Sequence, residues 1–184
     1  MRWESLFADL ESQLNAVRAR ERTVEIQEMV RIERSQLRLC DHLAGQLGTE
    51  LIVDLLGGHR LRGMLQHVGV NWLSLREGPA EYLVVDAGIR SLEIAGHRAA
   101  VAEESTVRRR VSLGAALRSL VRDRARVTVW AVDGALLGTG TLDHAGADHL
   151  RLALHPVDGY RREAEVRSVA LLPLGSVAAL RHET

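Results

Sequence analysis

Along residues 51–56 every second position is apolar, and Gly57-Gly58 then supplies a tight turn, because glycine reaches positive φ without a Cβ clash. A strand and its turn are predicted. Residues 61–68 continue as a second strand with an internal Gly63, where a strongly bent strand can pass close to its neighbour, and Gly69 marks the next turn. Asn71, Leu73 and Leu75 alternate with Val70, Trp72 and Ser74, so a third strand has one core face and one face that is not core. Residues 50–94 read together as one complete small β-barrel.

The same pattern returns beyond Arg124. Gly63, Leu65, His67, Gly69, Asn71, Leu73 and Leu75 meet Gly140, Leu142, His144, Gly146, Asp148, Leu150 and Leu152 without a gap. Two copies indicate duplication rather than a solenoid, which needs three or more. The tail of the repeat admits two registers. One pairs Ile89-Arg90-Ser91 with Val166-Arg167-Ser168; the other pairs residues 84–92 with residues 172–180. The second is preferred, because both copies then run strand, short turn, last strand, and no apolar strand is left over. It also places a longer polar hairpin loop, residues 156–165, in the second copy, where a mobile insertion is expected.

Apolar alternation, then Gly58-x-x-x-x-Gly63-x-Leu65, then a turn and Asn71-x-Leu73, resembles the first three strands of the Sm-like (Lsm and Hfq) group of SH3-like barrels. The resemblance implies a mostly β fold with helices: two tandem five-stranded antiparallel barrels, each preceded by a short helix. It also implies RNA as a partner. The second motif of that family, an Ile-Arg-Gly or Tyr-Lys-His element between the last two strands, helps its members hold RNA. Asp86-Ala87-Gly88-Ile89 stands in that place here, with Ile89-Arg90-Ser91 the nearest remnant.

Ahead of the first barrel, Trp3, Phe7, Leu10, Leu14 and Val17 recur at alternating spacings of four and three, the seam of an amphipathic helix. Ile26, Val30, Leu37, Cys40, Ala44 and Leu47 form a second stripe on another phase. A long helix to about Arg34, a kink and a short helix ending near Gly48 are expected, with one bent helix as the alternative. Ser112 can cap a helix through Arg122 with Leu113, Leu117, Leu120 and Val121 facing inward. The resulting division is an amino-terminal helix (1–36), a first barrel with its helix (37–96), a linker (97–111) and a second barrel with its helix (112–184).

Composition adjusts this picture in a few places. Acidic and basic residues balance at 24 each, which argues against strong sequence-independent nucleic-acid binding. Every basic side chain is arginine, and Arg108-Arg109-Arg110 is the one stretch with a clear positive excess, read as a solvated linker or a phosphate site. The single cysteine excludes an intramolecular disulfide, and no segment reads as a membrane span or a signal peptide, so a cytoplasmic protein is expected. Cys40, on its apolar stripe, reads as an inert core thiol.

No phosphate-binding loop, His-Glu-x-x-His, paired cysteines or nucleophile elbow occurs, so no catalysis, cofactor or small-molecule substrate is expected. Asp143-His144 and Asp148-His149 flank a hairpin turn, but a metal site wants three or four ligands held by a second shell, and none is assigned. His67 and His144 share a repeat position and a structural role is their default explanation. Trp72 and Trp130 sit opposite the core face; they fit an interface with a partner, or packing against the chain's own helices or other barrel. The function expected is a non-catalytic adaptor or assembly protein. It would bind itself or a protein partner through Trp3, Phe7, Leu10, Leu14, Trp72 and Trp130. The alternative is Sm-like RNA binding through Asn71, Arg90 and Arg108, Arg109 and Arg110. Two independent barrels carry a further expectation: Gly63→Val should be costlier than a change at Gly57 and should split unfolding into two transitions. A single sheet running through both copies would contradict separate barrels.

Overall fold

The computed structural model describes residues 22, 25, 27–29, 31–32, 35, 38–94, 111–155 and 168–183. The chain divides into two compact units, Met1–Arg38 and Leu39–Thr184. In the first, the described residues from 22 to 35 are helical and exposed, and Arg38 is not helical. Trp3, Phe7, Leu10 and Leu14 lie outside the described residues.

The second unit contains every strand among the described residues. Helix α1 (Leu39–Ala44) precedes β1 (Glu50–Leu55), β2 (Arg60–Val68), β3 (Trp72–Glu77), β4 (Ala80–Val85) and β5 (Ile89–Ile94). Helix α2 (Leu113–Arg122) precedes β6 (Arg126–Ala131), β7 (Leu136–Ala145), β8 (His149–Leu154), β9 (Ser168–Pro173) and β10 (Val177–Glu183). Ser112 caps α2 by accepting a hydrogen bond from the Ala115 N–H at 3.3 Å, and Leu113 and Leu117 are buried beneath it.

The duplication is visible residue by residue. In β2–β3 the pairing runs Leu65 with Leu75, then His67 with Ser74, stepping over Gln66 in a bulge. In β7–β8 it runs Leu142 with Leu152, then His144 with Arg151, stepping over Asp143. Each copy then closes through a short 3₁₀ turn, Asp86–Gly88 in the first and Leu174–Ser176 in the second. Leu73 faces Val84 and Leu150 faces Leu172, the tail register that leaves no strand over. The extra residues of the second copy fall between β8 and β9; the loop expected at 156–165 lies outside the described residues.

The ten strands form a single antiparallel sheet in the order β5-β1-β2-β3-β4-β10-β6-β7-β8-β9. The expectation of two separate barrels is thereby corrected. Strand β10 pairs with β6 of its own copy on one edge and with β4 of the first copy on the other. Both rows of its backbone N–H and C=O groups thus find partners.

Because successive residues of a strand face opposite ways, this junction exchanges side chains between two cores. Val84 stands opposite Ala179 and both join the first core; Leu83 stands opposite Leu180 and both join the second. Ala178 also enters the first core, while Trp72 and Val85 enter the second. Trp130, from β6, packs against the first core.

Two glycines mark where the sheet bends. A Cβ on Gly63 would stand 2.7 Å from the Arg76 carbonyl oxygen, and one on Gly140 would strike the carbonyl of Ala153, the equivalent residue. Gly57 departs from expectation. It is no permissive turn residue, because a Cβ there would run into the backbone of Gly134, its counterpart in the second copy.

Candidate functional site

Strands β3, β4 and β10 present one continuous face beneath α2. Across it, His67 is paired with Ser74, Ser74 with Leu83 and Leu83 with Leu180, while the adjacent row holds Glu81 opposite His182. A cavity of about 320 Å³ lies over these rows, with Trp72 and Val127 also on its wall and Ser119, Leu120 and Asp123 reaching in from α2 and its end. A second cavity of about 420 Å³ adjoins it, sharing His67, Trp72, Ala116 and Ser119 and lined otherwise mainly by apolar residues such as Leu47, Val68 and Val111.

The polar groups of the smaller cavity are unevenly satisfied. Glu81 and His182 approach to 3.5 Å. The Ser74 side chain is only 4% exposed, yet its hydroxyl has no hydrogen-bond partner. Trp72 is fixed by a hydrogen bond from its indole Nε1 to the Val111 carbonyl at 3.0 Å, and its ring lies against Gly69. His149, the equivalent of Trp72, lies against Gly146 in the same way.

The outer edges of the sheet differ from this interior junction. On β9, Leu171 is 66% exposed and Val169 is 45% exposed. They are the counterparts of Leu83 and Glu81 on β4, the edge that in the first copy is covered by β10. At the opposite edge, β5 offers half-buried Leu92 and Ile94, with Arg90, Ser91 and Glu93 exposed between and beside them.

Trp72 and Trp130 are thus interface residues, and the interface they serve lies between the two halves of the chain. Trp130 also meets His59 at 5.9 Å between ring centres, while His59 Nε2 lies 3.0 Å from the Gly134 carbonyl oxygen. Of the residues named for RNA, Asn71 and Arg90 are among the described residues. The Asn71 carbonyl accepts the Asp86 N–H at 3.0 Å, as the Asp148 carbonyl accepts the Leu174 N–H at 2.8 Å in the second copy. Arg90 instead donates from Nη2 to the Leu56 carbonyl at 2.6 Å. Arg108, Arg109 and Arg110 lie outside the described residues.

Burial raises the pKa of Asp86 above the ordinary aspartate value, so its carboxyl is harder to charge than a solvent-facing one. Around the second hairpin, His149 Nδ1 and Asp148 Oδ1 pair at 2.8 Å, and this holds the Asp148 pKa below its usual value. Among the described residues no group of three or more metal-ligating side chains converges.

Sequence reasoning missed Ser74, Glu81 and His182 as a group, although a signal was present. Their counterparts in the repeat are Arg151, Val169 and Ile94, so the polar cluster exists once and is not demanded by the shared fold. No described helix is long and apolar enough to cross a membrane. No protein-family model matches the sequence, and comparison with curated proteins finds no match either.

Proposed function

We propose that each half of the sheet is a small Sm-like barrel, the two joined edge to edge, and that the chain is a non-catalytic assembly module whose first partner is a second copy of itself. The observation that carries this reading is the pair of exposed apolar residues on the unpaired edge of β9. The β4–β10 junction joins unlike edges: the fourth strand of one half meets the fifth strand of the other. Such heterologous contacts repeat until they close into a ring or run on as a filament. Both unlike edges recur on β9 and β5, without a paired strand among the described residues.

Carrying the β4–β10 register over to β9 and β5 of a second chain pairs like with like. Leu83 opposite Leu180 becomes Leu171 opposite Leu92, and Glu81 opposite His182 becomes Val169 opposite Ile94. Leu171 would then complete the first core of the next chain, as Leu83 completes the second core within one chain. An edge strand with outward apolar residues and no guarding charge favours a pairing partner. The amino-terminal seam of Trp3, Phe7, Leu10 and Leu14 belongs to the same reading as a second contact surface.

RNA binding, the alternative, is less well supported, because Arg90 is held by a carbonyl and acidic and basic residues balance at 24 each. Light scattering on the size-exclusion eluate tests the choice. Wild type should elute as a multiple of the chain mass and Leu171→Arg as a monomer with an unchanged circular dichroism spectrum. A wild-type monomer at high concentration, or a variant as large as wild type, contradicts assembly through β9. A gel shift with uridine-rich RNA that weakens steeply with salt would instead favour RNA.

A further inference from the structure

We propose that the cavity beneath α2 binds a small planar ligand bearing an N–C–N edge with two N–H donors, such as an amidinium or a 2-aminopyrimidinone-type ring. The first support is Ser74. A hydroxyl that is 4% exposed and has no partner leaves both its donor and its acceptor capacity unmet, and burial of that kind is normally avoided. Ser74 lines the cavity, so a turn about its Cα–Cβ bond can bring the hydroxyl to a ligand seated there and supply the missing bond.

The surrounding groups fix the chemistry of that ligand. Glu81 presents a carboxylate that accepts two parallel N–H donors, the geometry that planar N–C–N groups offer. His182, 3.5 Å from Glu81, and His67, paired beside Ser74, can donate to or accept from ring atoms. Trp72, Leu83 and Leu180 supply the apolar wall that a flat ring needs. Glu81 and Asp123 both face the space, which disfavours anions. A volume of about 320 Å³ falls at the lower end of the range of roughly 300–1,000 Å³ for small-molecule sites, and the adjoining apolar cavity leaves room for a substituent.

The site is absent from the second copy. Arg151, Val169 and Ile94 stand where Ser74, Glu81 and His182 would be needed, so a chain carries one site. This inference is independent of self-assembly, and the monomeric Leu171→Arg variant should keep the site.

Saturation-transfer NMR on the full-length protein, with benzamidine, guanosine and benzoate as probes at millimolar concentration, tests it. Benzamidine or guanosine should bind and perturb the Trp72 indole N–H signal, and benzoate should not. Binding of guanosine alone identifies a nucleoside-type ring, and of benzamidine alone a simple amidinium. Ser74→Ala should weaken the bound probe about tenfold, the size of one lost buried hydrogen bond, while leaving the melting temperature equal or higher. Ala116→Leu, which fills the space from α2 with a good helix former, should abolish binding with the fold intact. Binding of neither N–C–N probe, benzoate binding as tightly as benzamidine, or binding that neither substitution weakens would overturn the assignment.

Discussion

Gly57 and Gly134 meet backbone to backbone, so neither of these two positions can accept a side chain. Gly57→Ala and Gly63→Ala should each lower stability by about 1–3 kcal/mol, the range for overpacking, in urea titrations. Gly58→Asn should be nearly neutral, since Gly58 has φ of 86° with open space beyond it and asparagine tolerates that conformation. A Gly57→Ala variant as stable as Gly58→Asn would mean that the turns do not touch. The role of Gly63 was legible because a glycine inside an alternating strand signals a close approach. That of Gly57 was not, because its neighbour belongs to the other copy. Asp86 adds a pH dependence. Burial raises its pKa in the folded state above the ordinary aspartate value, so the charged form is the destabilised one. Its destabilisation is absent below the unfolded pKa and grows as pH rises through the folded pKa. Asp86→Asn should therefore melt higher than wild type at neutral pH, with the advantage shrinking as pH falls into that window; a constant difference would rule out titration of Asp86.

At the scale of elements, the tail register was readable from the count of apolar strands, and the cap at Ser112 from residue type alone. The partner of the last strand was not. Both copies end in a similar strand, and only Ala178-Ala179 against Arg90-Ser91 distinguishes the one that is buried. Small residues are required there because a Cβ on Gly88 would already stand 2.7 Å from the Ala178 Cβ. Ala178→Leu should thus cost about 1–3 kcal/mol in denaturant unfolding. Arg90→Ala, at the equivalent exposed position, should stay within about 0.5 kcal/mol. Equal costs would place β10 elsewhere. The cavity was hidden for the same reason: Ser74 lies on a strand face that alternation marks as outward and that the second half covers.

For the whole molecule, exchange of residues between the cores makes independent unfolding of the halves untenable. Ala178 and Ala179 leave the first core if the second half unfolds, and Trp72, Leu83 and Val85 leave the second core if the first unfolds. Gly63→Val should therefore melt in one transition rather than the two that separate barrels imply; two calorimetric peaks would restore separateness. The central claim, that the interior junction is repeated between chains, is tested most directly by cysteine crosslinking. Cys40 is the one native cysteine and is buried, so it should not compete. The β4–β10 register places Ala170 of one chain opposite Glu93 of the next, where Arg181 faces Tyr82 within the chain. Antiparallel partners lie about 4.5–5.5 Å apart at Cα, within disulfide reach. Mixing Ala170→Cys with Glu93→Cys under mild oxidation should yield a mixed dimer on a non-reducing gel, and mixing Ala170→Cys with a cysteine at Arg122, on α2, should not. No mixed dimer, or equal dimer in both mixtures, would contradict the repeated junction.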